Sequence, residues 1–320
     1  MSGQIHSSGI KTTEQTPESQ LLRPLGGPQP GLILGSLVTG ALVALLFYCW
    51  GYQIRYGIGV TGLNRPNFWG FYITNFVFWI GISHAGTLIS AILRVTGAEW
   101  RRPVTRCAEA ITVFALCVGG LLPLIHLGRP WLFYYMMPIP SQNLLWPNFN
   151  SPLVWDILAI TTYLTGSVLY LALPLLPDFA ILRDRNLRSN PSGFRARLYS
   201  LLAAGWRGTP QQWHSLEQGI RVMAIIIIPV AVSVHTIVSW DFAMTLQPMW
   251  HSTIFGPYFV VGAIYSGIAM LLVTMYILRR GLSLQQYLSD AVFNNLSLLF
   301  IAMALIWAYF TFAEHLTVFY

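Results

Sequence analysis

Seven stretches of this 320-residue chain are apolar over about 20 residues or more, the length of helix that crosses the hydrocarbon core of a bilayer. They lie at about 31–51, 68–93, 106–127, 152–176, 219–241, 254–278 and 290–316. Inside hydrocarbon a backbone must satisfy its own hydrogen bonds, which restricts isolated apolar segments of this kind to helix. The expected fold class is therefore an all-α polytopic membrane protein with seven transmembrane helices. Composition agrees: only 9% of residues are charged, against about a quarter in soluble domains.

Residues 1–30 are polar, carry Pro17, Pro24, Pro28 and Pro30, and contain no signal peptide; they read as a tail leading into the first helix at 31–51. The longest connection, 177–218, is arginine-rich and too short to hold a folded module. An internal repeat is detectable. Shifting the second span by 186 residues onto the sixth pairs Gly70 with Gly256, Tyr72 with Tyr258, Gly81 with Gly267, Ile82 with Ile268 and Arg94 with Arg280. A shift of 189 pairs His126 and Leu127 with His315 and Leu316. This pattern predicts a duplication. Residues 68–241 would form one four-helix bundle, 254–320 would begin a second, and two further helices are expected beyond Tyr320.

The net charge of +7 does not point to nucleic acid, because no basic polar domain is present to hold a phosphate backbone. Fifteen of the eighteen positive residues fall in the tail and in the second, fourth and sixth loops; only Arg55, Arg65 and Arg129 fall in the others. That asymmetry predicts a cytoplasmic N-terminus; the location expected is a bacterial inner membrane. Cys49, Cys107 and Cys117 form no metal or haem motif and read as small buried hydrophobes.

This topology collects acids and histidines at one depth. His126 ends the third span at the outer side, twenty residues and about 30 Å of helix from Arg106. Asp156 lies near the outer start of the fourth span, Asp241 at the outer end of the fifth, and Glu314 with His315 at the outer end of the seventh. A quinol presents two hydroxyls on an apolar body. A neutral imidazole can accept one hydrogen bond from it, and a carboxylate can accept and release a proton. His126, Asp156 and Asp241 are therefore the expected quinol-binding residues. The competing readings are a helix-end histidine bonded to a loop carbonyl and, for Asp156, an acid favoured by a helix N-terminus. Trp131, Phe133, Tyr134, Tyr135, Trp155 and Trp240 could wall the ring or form an interfacial belt. Deeper groups, His84, Glu109 and Asp178, with His315 at the outer end, are expected to serve proton transfer; interhelical bonding is the bland account of His84. No metal site is expected. His126 and His235 could match in depth for a haem, whereas His84 finds no partner at its own depth.

The motifs HLGRPWLF (126–133), WIGISHAGTLISAILR (79–94) and SPLVWD (151–156) resemble the NrfD/PsrC-like membrane subunits of polysulfide-reductase-type complexes. Within these, the likeness is nearest to the quinol-oxidising membrane subunit of alternative complex III. The resemblance implies a ten-helix protein of two four-helix bundles that binds menaquinol or ubiquinol at the outer face, with no haem or iron–sulfur cluster of its own. Electrons would pass to an iron–sulfur subunit on the outer face and on to multihaem c-type cytochrome subunits, beside a paralogous membrane subunit. The family's site histidine and two aspartates would fall on His126, Asp156 and Asp241. The implied activity is that of a subunit of a quinol:acceptor oxidoreductase, with proton translocation as a further expectation. A quinone-reducing subunit and a proton or ion transporter are the alternatives.

Overall fold

A computed structural model describes residues 30–63, 70–137, 152–189, 193–246 and 251–320. The polar tail with Lys11 and Arg23, and Arg65 in the first loop, lie outside the described residues. Among those described, every regular element is helical: α1 (Pro30–Tyr56), α2 (Gly70–Val95), α3 (Arg101–His126), α4 (Pro152–Ser189), a short α5 (Phe194–Leu202), α6 (Pro210–Leu246), α7 (Phe255–Gly281) and α8 (Asp290–Phe319). Two 3-10 turns, Ile58–Thr61 and Pro130–Met136, sit in connections. Seven of the helices are long and apolar enough to cross a membrane, so the chain is a multi-pass membrane protein.

The helices outrun their apolar segments. α4 continues past residue 176 to Ser189, and α6 begins at Pro210 instead of near 219. Most of the expected loop at 177–218 is thus helix. Hydropathy measures where hydrocarbon ends, and a helix ends only where its backbone bonds do. Pro174, Pro177 and Pro229 are carried inside α4 and α6.

The helices are far from equal in burial. In α2, 78% of the apolar window is inside the protein, against 0% in α1 and 6% in α8. One face of α2 joins α3, α4 and α6 around Phe76, Ile80, Leu116, Tyr163, Tyr170 and Ile227. Its other face meets α7, which in turn carries α8, in a cluster that includes Ala85, Ile89, Ile268, Leu271 and Leu296.

Between apolar helices in lipid, association depends on close packing, and small residues permit it. A Cβ on Gly86 would collide with Thr112 Oγ1 and the Ala108 carbonyl of α3. On the opposite face, a Cβ on Gly267 of α7 would run into Ala85. The substitution Gly86→Val is expected to force α2 and α3 apart and cost about 1–3 kcal/mol. The thermal midpoint of the detergent-purified protein should fall; an unchanged midpoint would show that this contact yields.

Candidate functional site

His126 is the last residue of α3. The helix stops there because Gly128 turns into the left-handed region at φ +65, where a side chain is strained, and Pro130 follows as the first residue of the next turn. Gly128 passes close to Ile58 of the preceding connection. The imidazole of His126 stacks on Tyr72 of α2, with centroids 6.0 Å apart and planes at 25°.

Tyr72 is held from α1. Its hydroxyl donates to Gln53 Oε1, and Gln53 Nε2 donates to the Ile125 carbonyl at 2.7 Å. Gln53 is 3% exposed on a helix whose other described side chains are exposed or half-buried. One amide therefore ties the loosest helix to the backbone next to His126.

Asp156 stands on the first turns of α4 and Asp241 on α6, five residues before that helix ends. Asp241 is buried, and its carboxyl group faces that of Asp156 within interaction range. Beside them opens a cavity of about 390 Å³ lined by Ile58, Tyr72, Phe76, His126, Asp156 and Phe242, among other side chains. That volume falls within the range of about 300–1,000 Å³ usual for small-molecule sites. The structure thus brings His126, Asp156 and Asp241 together from three helices. The aromatic wall is made of Tyr72, Phe76 and Phe242. Trp131, Phe133, Tyr134, Trp155 and Trp240 are instead exposed, as residues of an interfacial belt are.

The cavity suits a flat, amphipathic ring. Its walls are mostly apolar, and its polar lining is an imidazole, a phenol and the carboxyl of Asp156, which has Asp241 beside it. Such a set can accept hydrogen bonds from ring hydroxyls and take up their protons. Two carboxyls within interaction range of each other, away from water, can also share a proton, since two bare charges there would repel.

The deeper groups resolve differently from expectation. His84 does have a partner at its own depth: the ring of His235 on α6 lies 4.8 Å away, centroid to centroid. The apparent mismatch arose because α6 extends to Leu246, which puts His235 eleven residues from the helix end instead of six. Rings this close leave no room for a porphyrin between them. Nor is there, among the described residues, a group of three His, Cys, Asp or Glu side chains that could hold a metal ion. Glu109 is buried on α3 and accepts from Ser90 Oγ at 2.7 Å. Asp178 pairs with Arg106 at 3.1 Å, half exposed. His315 is exposed on α8 and bonds its own helix at the Thr311 carbonyl, 2.8 Å away; α8 packs on α7, away from the cavity. Glu314 accepts from Ser252.

Sequence reasoning passed over Tyr72 and Gln53 as site residues. A signal existed for both: Tyr72 recurs in the repeat as Tyr258, and Gln53 is an uncharged polar residue near the end of an apolar span.

The sequence profile of the family described as polysulphide reductase NrfD matches residues 59–318. The chain is 29% identical over 247 residues to a putative dimethyl sulfoxide reductase membrane subunit of Halobacterium salinarum, covering 75% of this chain and 51% of that protein. It is 25% identical over 228 residues to a selenate reductase subunit of Mesobacillus selenatarsenatis, covering 69% and 50%. With an Hdr-like menaquinol oxidoreductase integral membrane subunit of Archaeoglobus fulgidus it shares 22% identity over 282 residues, covering 88% and 59%. The chain thus spans about half the length of the curated relatives it matches.

The Gln53 bridge makes a direct prediction. Gln53→Leu strips a buried carbonyl of its donor and the Tyr72 hydroxyl of its acceptor, an expected cost of about 1–3 kcal/mol. The thermal midpoint should drop, while Trp131→Leu, which lines no part of the cavity, should leave it nearly unchanged. Equal shifts for the two variants would remove the special role given to Gln53.

Proposed function

This chain belongs to the polysulphide reductase NrfD family, and we propose that it is the quinol-binding membrane subunit of a respiratory or photosynthetic oxidoreductase complex. The observation that carries this reading is the meeting of His126, Asp156 and Asp241 beside one apolar cavity, at the end of the bundle away from most arginines. The match to membrane subunits of reductase and oxidoreductase complexes supports the class of reaction. The positive-inside pattern supports a cytoplasmic N-terminus in a bacterial inner membrane, so the cavity faces the outer side.

A bound quinol supplies two electrons and two protons as it becomes quinone. His126 accepts a hydrogen bond from one ring hydroxyl, and Tyr72 stacked on it fixes the imidazole plane. His126 takes the proton of that hydroxyl, the Asp156–Asp241 pair beside the cavity takes the proton of the other, and both are released toward the outer surface. Gln53 holds Tyr72 and the end of α3 in register. Electrons leave to an iron–sulfur partner on the outer face, since this subunit's own residues supply acid–base groups. Multihaem c-type cytochromes as later acceptors, a paralogous membrane subunit, and a place in an alternative complex III are the finer form of the proposal. Menaquinol is favoured over ubiquinol by the name of the archaeal relative. The direction is set as quinol oxidation because a reductase complex needs a membrane donor of electrons.

The test is His126→Ala in the intact complex. Quinol-driven turnover should fall by about a hundredfold or more, the usual loss when a positioned acid–base group is removed, with subunit assembly unchanged on a native gel. Turnover at the wild-type rate in an assembled complex would overturn the reading.

A further inference from the structure

Between Phe255 and Ala313, where α7 and α8 form a hairpin, the only charged residues are Arg279, Arg280 and Asp290. All three stand at the turn that joins the helices: the arginines in the last turn of α7, the aspartate in the first of α8. α7 is 27 residues long, about 40 Å of rise against about 30 Å of hydrocarbon. Its last turn therefore reaches the headgroup layer on the arginine-rich side. The turn itself is pinned. Ser283 takes the left-handed conformation at φ +56, which most side chains avoid, and the Leu284 N–H donates to the Arg279 carbonyl at 3.1 Å. That reversal brings Gln285 back beside Tyr276, Arg279 and Arg280, and these four residues line a cleft of about 490 Å³.

Positive charge in a loop orients a chain in the membrane, but orientation needs only the charge, not a fixed guanidinium. Here both guanidiniums are held on rings. Arg279 lies over Phe293 of α8, 5.5 Å from the ring centroid, and Arg280 lies over Tyr276 at 5.2 Å. Arg279 also donates to Asp290 at 2.6 Å, a pair that water screens because the Asp290 side chain is 83% exposed. Two guanidiniums against one carboxylate leave the cleft positive. A guanidinium already held on a ring has less freedom to lose on binding an anion, and its planar edge matches two oxygens of a phosphate. The Gln285 amide adds an uncharged N–H donor. The hydrocarbon side of the cleft is apolar. Val273, Tyr276, Ile277 and Arg280 recur three and four residues apart, which sets them on one stripe of α7. The first three are all half or more exposed, so an apolar track leads out of the cleft toward the lipid. A ligand that fills both parts joins a negatively charged phosphate to a hydrocarbon chain.

We infer that the cleft at the α7–α8 turn binds the phosphodiester of an anionic phospholipid from the leaflet on the arginine-rich side, with an acyl chain laid along Val273 and Ile277. Arg280 holds the phosphate oxygens, Arg279 keeps its bond to Asp290 and adds charge, and Gln285 donates to a headgroup oxygen. A zwitterionic lipid fits less well, because its ammonium group enters a cleft that is already positive. The site lies at the opposite end of the bundle from the His126 cavity and does not depend on the quinol.

The test takes the full chain in a neutral detergent and measures lipid binding by native mass spectrometry, with dioleoyl phosphatidylglycerol as the probe. Dioleoyl phosphatidylcholine, which has the same chains, and inorganic phosphate, which has none, are the comparison arms. Phosphatidylglycerol should bind about tenfold or more tightly than phosphatidylcholine, and inorganic phosphate in about tenfold excess should not displace it. Arg280→Gln should weaken phosphatidylglycerol binding by about tenfold or more, and Ile277→Asn and Gln285→Leu should each weaken it several-fold. Arg195→Gln, at an exposed arginine of α5, should leave it unchanged. Equal affinity for the two lipids, wild-type affinity in Arg280→Gln, or an equal loss in Arg195→Gln overturns the assignment. Displacement by inorganic phosphate also overturns it and gives the cleft to the free anion. If Arg280→Gln does not fold, Gln285→Leu decides, and wild-type affinity in that variant overturns the assignment as well.

Discussion

The close approach of α2 to its neighbours is the contact on which the rest of the structure depends. Gly86 lets α3 come against one face, and Ala85 with Gly267 lets α7 come against the other. Lipid tails are as apolar as leucine, so the hydrophobic effect gives these helices no reason to prefer each other. Dense backbone-to-backbone packing does, and it is available only where side chains are small. Because α2 is enclosed on two sides, polar side chains can stand on it away from lipid, and Ser83, His84, Thr87 and Ser90 occupy that enclosure.

The same helix joins two chemical regions that look separate in the chain. Near its start, Tyr72 stacks on His126 beside the cavity; midway, His84 meets His235; near its end, Ser90 meets Glu109. α6 runs beside it with His235 and Asp241 on one rigid element. The peripheral α1 contributes in another way, since its single buried amide, Gln53, fixes the backbone at the end of α3. The chain belongs to the polysulphide reductase NrfD family and is similar to membrane subunits of reductase complexes.

Much of this was legible in the residues. Apolar length identified all seven spans, and counting residues from the arginine-rich ends placed His126, Asp156 and Asp241 at one depth. Two things misled. The apolar extent of the fifth span was shorter than its helix, which made His235 look too shallow to meet His84. The nearby tryptophans and tyrosines of the outer loops looked like ring walls, whereas Tyr72, Phe76 and Phe242 line the cavity from inside the bundle.

A helix converts sequence position into height at a fixed 1.5 Å per residue, and so the sequence by itself determined that the chain crosses a membrane seven times and at what height its acids and histidines sit. Height says nothing about which side of a helix a residue occupies or which helix stands opposite. Those depend on lateral packing of nearly uniform apolar cylinders, decided by the few places where small residues permit close approach. Only the tertiary structure therefore set Asp156 against Asp241, His84 against His235, and Gln53 under Tyr72.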